Sequence, residues 1–95
     1  MTITRIDDRT IAVTGEIDSH SAAAMQGALV EISATAETVL DLAGVTFVDS
    51  SGLRVIVSSH RRQEAGGGSL TLRSPSDSVR RLLDITGLTT ELSIS

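Results

Sequence analysis

The sequence predicts an α/β fold, a mixed sheet with an N-terminal antiparallel hairpin and with helices packed on the sheet. Two segments near the N-terminus alternate apolar and polar residues, which is typical of strands. Three later segments place apolar residues at helical spacing, and strand-like segments lie between and after them. Strands that alternate with helices favour parallel pairing through right-handed crossovers. The predicted order is therefore β-β-α-β-α-β-α-β, in a single domain over 1–95.

The hairpin comes first. Residues Thr2 to Arg5 and Thr10 to Gly15 both alternate with a period of two. The polar run Asp7-Asp8-Arg9 between them suits a turn. These three features together predict an antiparallel pair.

The first helix is predicted from Ser19 to about Ser33, with Asp18 or Ser19 as its N-cap. Four apolar residues lie on one face of this helix and predict its buried side. They are Ala22, Met25, Leu29 and Ile32.

A buried strand is predicted at about Thr38 to Leu42. The second helix follows Ser51 and runs to Ala65, where Gly66 closes it. The run Asp49-Ser50-Ser51-Gly52 therefore lies where a strand becomes a helix.

Another strand is predicted at Ser69 to Arg73. The third helix is predicted to begin with Ser74 as its cap and Pro75 in its first turn, with Asp77 three residues after the cap. Gly87 ends this helix, and a final strand lies within 88–94. The predicted buried stripe of the third helix is Val79, Leu82, Leu83 and Thr86.

Composition excludes several classes of function. The chain has 95 residues, a formal charge of −4, no Cys, and Phe47 as its single Phe, Tyr or Trp ring. Disulfide and thiol chemistry are therefore excluded, and an acidic chain with one ring is not expected to bind nucleic acid directly. His20 and His60 are expected at the surface, so no metal or cofactor is predicted. The absence of a signal peptide or a membrane-spanning run favours a cytoplasmic location without a membrane partner.

The serines at the second helix start allow two interpretations. Ser50 or Ser51 could cap the helix, as Asp49 could, or a hydroxyl could carry a phosphate beside the helix dipole. A serine hydrolase would need Gly-x-Ser-x-Gly at such a junction, and the upstream Gly is missing. We therefore do not expect an enzyme.

Three motifs along the chain together resemble the STAS domain family, and most closely its anti-sigma factor antagonists. They are Gly15-Glu16-Ile17-Asp18, the run Asp41-Leu42 to Leu53 that contains Asp49-Ser50-Ser51-Gly52, and Val79 to Leu88 with Leu82-Leu83-Asp84-Ile85-Thr86-Gly87. The resemblance covers nearly the whole chain.

The resemblance implies a partner-switching protein. The unphosphorylated antagonist would bind an anti-sigma factor that is also a serine kinase, so that a sigma factor is released. The kinase would phosphorylate Ser51 and end the binding, and a phosphoserine phosphatase would reverse this. The implied partner-binding residues are Asp18, Asp49, Ser50, Ser51, Gly52, Leu53 and Arg54.

The family resemblance leaves one alternative open. STAS domains also serve as accessory or scaffold subunits, of lipid transporters or of stressosomes, and these bind a protein without such a switch. Family members usually continue into a C-terminal helix, whereas this sequence stops at Ser95. An apolar surface left uncovered there could be covered in a homodimer.

Overall fold

The computed structural model describes residues 1–95 and has the predicted order of strands and helices. The elements are β1 (Thr2–Arg5), β2 (Thr10–Ile17), α1 (Ser19–Val30), β3 (Glu37–Val48), α2 (Ser50–Ala65), β4 (Ser69–Arg73), α3 (Asp77–Ile85), a 3-10 turn (Leu88–Thr90) and β5 (Ser93–Ile94). No helix is both long enough and apolar enough to cross a bilayer.

The strands form one mixed sheet in the order β1-β2-β3-β4-β5. β1 pairs antiparallel with β2, and every other neighbouring pair is parallel. The predicted fold class is thus confirmed.

One face of the sheet carries the core. Leu40 of β3 and Leu72 of β4 are fully buried, and they pair in register on this face. Thr38, on the same face, accepts a hydrogen bond from Gln63 of α2. Ala12 and Val39 point to the opposite face, and neither belongs to the core cluster. The helices therefore cover one side of the sheet only.

Two β-bulges lengthen β3. The eight residues of β2 lie opposite Val39–Val48, so β3 holds two extra residues. The register shifts fall between Ala12 and Thr14 and between Gly15 and Glu16 of β2. Each bulge reverses the alternation of side chains, because a bulge places two residues opposite one. The strand thus continues to Val48, and the predicted end at Leu42 is wrong.

The predicted end of the first helix also differs from the structure. Helix α1 ends at Val30, although Ile32 remains buried. The predicted end at Ser33 is wrong because the backbone tightens after the helix, where the Ile32 N–H bonds the Leu29 carbonyl at 3.1 Å.

The predicted cap of α3 is also wrong. Ser76 is the N-cap, and its hydroxyl accepts from the Val79 N–H at 3.3 Å. Ser74 cannot cap because it takes a left-handed conformation with φ 54° while its N–H bonds Ser95. Pro75 therefore precedes the helix, and Asp77 is its first residue.

Two predictions of burial are wrong. Thr86 is exposed, since its hydroxyl donates to the carbonyls at the end of its own helix. His60 is only 4% exposed, because α2 lies across the sheet and buries a wide face.

Candidate functional site

The ends of two neighbouring strands bring the predicted site residues together. Ile17 and Val48 pair in register at the ends of β2 and β3. The next residues, Asp18 and Asp49, begin α1 and α2, and the Asp49 N–H bonds the Ile17 carbonyl at 3.0 Å. Because parallel strands lie about 4.8 Å apart, two helix N-termini stand side by side at this edge of the sheet.

Asp49 is the cap of α2. Its carboxylate Oδ1 accepts from the backbone N–H of Ser51 at 2.9 Å and of Gly52 at 3.1 Å. Capping of α2 by Ser50 or Ser51 is therefore ruled out, since a carboxylate already accepts these amides. Both serines lie inside the first turn, with no capping role for their hydroxyls.

The Ser51 hydroxyl is free. Ser50 is exposed and Ser51 is half-buried. The Ser51 hydroxyl makes no hydrogen bond, and the two buried polar atoms without a partner belong instead to His60 and Gln63. Ser51 Oγ is therefore neither hydrogen-bonded nor fully buried.

Gly52 brings α2 close to the strand ends. A Cβ at this position would lie 2.7 Å from Val48 Cγ1 and 2.8 Å from Ile17 Cγ2. Gly52 is helical and does not have a positive φ, so a tight turn is not what requires glycine here. Glycine lets the first turn of α2 lie directly on Ile17 and Val48.

The remaining two predicted residues differ in exposure. Leu53 is half-buried and packs against the core, so only part of its side chain could meet a partner. Arg54 is exposed on the first turns of α2 and forms no ion pair within the chain.

Asp18 caps α1 with help from Ser21. Its carboxylate accepts from the Ser21 backbone N–H at 2.9 Å and from the Ser21 hydroxyl at 2.8 Å. These hydrogen bonds, chiefly the backbone one, hold the pKa of Asp18 below its usual value. Asp18 therefore carries a negative charge at neutral pH.

The site combines two capping carboxylates with one cation, the exposed Arg54. Neither Asp18 nor Asp49 takes part in an ion pair, whereas Asp41 on the open sheet face is paired with Arg73 at 2.9 Å. No group of three or more acidic or histidine side chains is arranged to hold a metal ion. The groups available at this edge are thus a free hydroxyl, two capping carboxylates and an exposed guanidinium.

The predicted site residues do not include Phe47. This side chain is 52% exposed, although it lies on β3 only two residues before Asp49. The sequence signal for this residue is a single aromatic side chain two positions before the polar run that begins at Asp49.

Comparison with known proteins finds a matching family and relatives that cover nearly the whole chain. A family model described as "Mlab, STAS domain" matches residues 3–94. An anti-sigma-B factor antagonist of Bacillus subtilis is 37% identical over 90 residues, which cover 94% of this chain and 83% of the relative.

Solved structures of anti-sigma factor antagonists have a similar fold. An anti-sigma factor antagonist from Mycobacterium paratuberculosis has a TM-score of 0.80 at 26% identity, over 98% of this chain and 81% of that one. The anti-sigma factor antagonist SpoIIAA in its unphosphorylated form has a TM-score of 0.74 at 25% identity, over 99% and 86% of the two chains.

Proposed function

The chain belongs to the STAS domain family, and from this premise we propose that it is an anti-sigma factor antagonist switched by phosphorylation of Ser51. Unphosphorylated, it binds an anti-sigma factor that is also a serine kinase, and a sigma factor is released. A phosphoserine phosphatase restores the binding form. The names of the relatives support the antagonist function.

One observation carries the proposed switch: the Ser51 hydroxyl is free while the helix cap is made by Asp49. A hydroxyl needed for capping would lose its hydrogen bond on phosphorylation, and the helix start would weaken. Here that structural role belongs to a carboxylate. Phosphate can therefore be added to Ser51 without removing a hydrogen bond from the fold.

The charge of the phosphate supplies the switch. A phosphoserine adds about −1.5 to −2 charges at neutral pH. Because Asp49 already accepts the N–H groups of Ser51 and Gly52, these amides are not free to neutralise the new charge. Near the carboxylates of Asp18 and Asp49, the dianion would lose hydration and meet repulsion when a partner closes on it.

The same geometry argues against a hydrolase. No histidine side chain hydrogen-bonds Ser50 or Ser51, so neither hydroxyl has a general base in place. Neither serine has a positive φ either, since Ser74 is the one non-glycine residue that does. A nucleophile elbow would hold its serine on a strained turn. We therefore propose a binding protein and not an enzyme.

A binding experiment tests the proposal. The purified anti-sigma factors of the source organism are titrated with the wild type, Ser51→Ala and Ser51→Glu. We expect the first two to bind one anti-sigma factor alike, and Ser51→Glu to bind it about a hundredfold more weakly, equivalent to about 3 kcal/mol. Mass spectrometry after incubation with that factor and ATP should place the phosphate on Ser51.

Ser78→Glu is the matched control. The match is one of position: Ser78 is exposed as the second residue of α3, and Ser51 is the second residue of α2, although the Ser78 hydroxyl lies 3.3 Å from the Ser76 hydroxyl. Ser78 comes after β4, whose last residue pairs with Asp41 of β3. Because β3 continues well beyond Asp41, the end of β4 is not level with the strand ends that carry the candidate site. Equal binding by all the variants would refute the switch, and would leave the accessory or scaffold role of STAS domains.

A further inference from the structure

A β-bulge turns Phe47 out of the sheet. Gly15 pairs with Val45 and Glu16 pairs with Phe47, so Thr46 has no partner. Because of this extra residue, Val45 and Val48 are both buried while Phe47 is 52% exposed. Strict alternation from Val45 would have turned the ring inward and Val48 outward.

The ring is held outward by a paired backbone. Phe47 lies opposite Glu16 in register, and the residue after it, Val48, is fully buried. An aromatic side chain has only two χ angles, so it supplies contact area at a low cost in conformational entropy. Exposed aromatic residues of this kind dominate the binding energy of many protein interfaces.

Three acidic residues lie near Phe47 in the strand register and along the chain. Glu16, its cross-strand neighbour, and Asp18 and Asp49 at the ends of the same two strands are all acidic, and none forms an ion pair within the chain. The junction therefore offers one apolar group and three carboxylates without an ion pair, against a single exposed cation, Arg54. A partner that covers it must supply both a pocket for the ring and positive charge around that pocket.

We propose that Phe47 is the anchor by which this protein binds its anti-sigma factor, in an apolar pocket bordered by Arg or Lys of that factor. This inference rests on the proposed function and extends the interface from the start of α2 onto β3. The ring lies two residues before the Asp49 cap, so Phe47 and Ser51 belong to the same junction between β3 and α2. A phosphate on Ser51 would then weaken binding to an anti-sigma factor that Phe47 helps to position.

Calorimetric titration of the anti-sigma factor tests the anchor. The variants are Phe47→Ala, Phe47→Thr and the control Ile85→Ala, with Ser51→Glu measured beside them. Thr favours strands and so keeps β3 intact while it removes the ring. Ile85 is 76% exposed and lies on α3, so it tests loss of an exposed apolar group elsewhere.

We expect both Phe47 variants to bind roughly tenfold to a hundredfold more weakly, as truncation of an aromatic anchor does. Ile85→Ala should bind like the wild type, and the wild-type affinity should fall as salt rises because the border is charged. Thermal unfolding of each variant verifies that the fold is retained.

The outcomes separate the two proposals. Wild-type affinity in Phe47→Thr together with weak binding by Ser51→Glu would overturn the anchor and leave the switch standing. Failure of the wild type to bind any anti-sigma factor would overturn both. Sedimentation that shows a wild-type dimer and a Phe47→Thr monomer, with unchanged affinity for the factor, would assign the ring to a second copy and also overturn the anchor.

Discussion

The starts of α1 and α2 have the same kind of cap, but the residues after the cap differ in what they contact. Each helix follows a buried strand end, Ile17 or Val48, and each is capped by an aspartate. The first turns are Ser19-His20-Ser21 after one cap and Ser50-Ser51-Gly52 after the other. The caps give both helices a firm start, so the differences between the two regions lie in the residues that follow.

The third helical position shows the clearest difference. Ser21 of α1 closes on its own cap by bonding Asp18 through both its N–H and its hydroxyl. Gly52 of α2 has no side chain and lies against the two strand ends. Helix α1 therefore uses its serine to complete the cap, whereas α2 uses a glycine to approach the sheet. This leaves the neighbouring Ser51 hydroxyl without a structural task.

The largest effect on stability is expected from Gly52→Ala. The new methyl group would overlap Val48 and Ile17, and overpacking of this kind costs about 1–3 kcal/mol of the free energy of unfolding. Gly27→Ala is the control, because Gly27 lies inside α1 with no atom near its missing Cβ. That substitution should stabilise the protein by about 0.5–1 kcal/mol. Urea denaturation measures both, and a stabilised Gly52→Ala would contradict the close approach.

A smaller loss is expected from removal of the caps. Asp49→Ala leaves the N–H groups of both Ser51 and Gly52 without their acceptor, which costs about 1–2 kcal/mol of the free energy of unfolding. Asp18→Ala should cost less, because Asp18 is exposed and accepts one backbone N–H. Asn at either position should restore most of the loss, since Asn caps nearly as well. A larger loss for Asp18→Ala in the same denaturation experiment would reverse the comparison.

The difference between the two helix starts was only partly predictable from sequence. The periodicity and the glycines predicted the order of strands and helices. The runs Asp18-Ser19 and Asp49-Ser50-Ser51 indicated where α1 and α2 begin. Assigning the cap among Asp49, Ser50 and Ser51 required the backbone, because all three residue types favour that position. The site residues themselves stay predictions, carried by family resemblance.

The end of β3 shows why the full length of this strand and the exposure of Phe47 could not be predicted from the sequence. Inward residues follow at Leu42, Val45 and Val48, a spacing of three that no regular strand has. Two bulges produce this spacing, and they depend on pairing with β2, which the β3 sequence alone does not contain. The strand predicted from the sequence therefore ends at Leu42, and the sequence does not predict that Phe47 points outward.

The smallest expected effect is on the pKa of Asp18, and it distinguishes the start of α1 from the start of α2. Hydrogen bonds from Ser21 hold the pKa of Asp18 below its ordinary 3.8, so its folded pKa is lower than its unfolded one. The stability that this carboxylate adds is complete above the ordinary pKa and is lost as pH falls through the folded value. Ser21→Ala removes the hydroxyl bond but keeps the backbone bond, and should raise the pKa of Asp18 part of the way, as carboxyl NMR titration would show. Ser51→Ala should leave that titration unchanged, because the free Ser51 hydroxyl bonds neither cap; an equal shift in both variants would mean that the two serines do not differ as described.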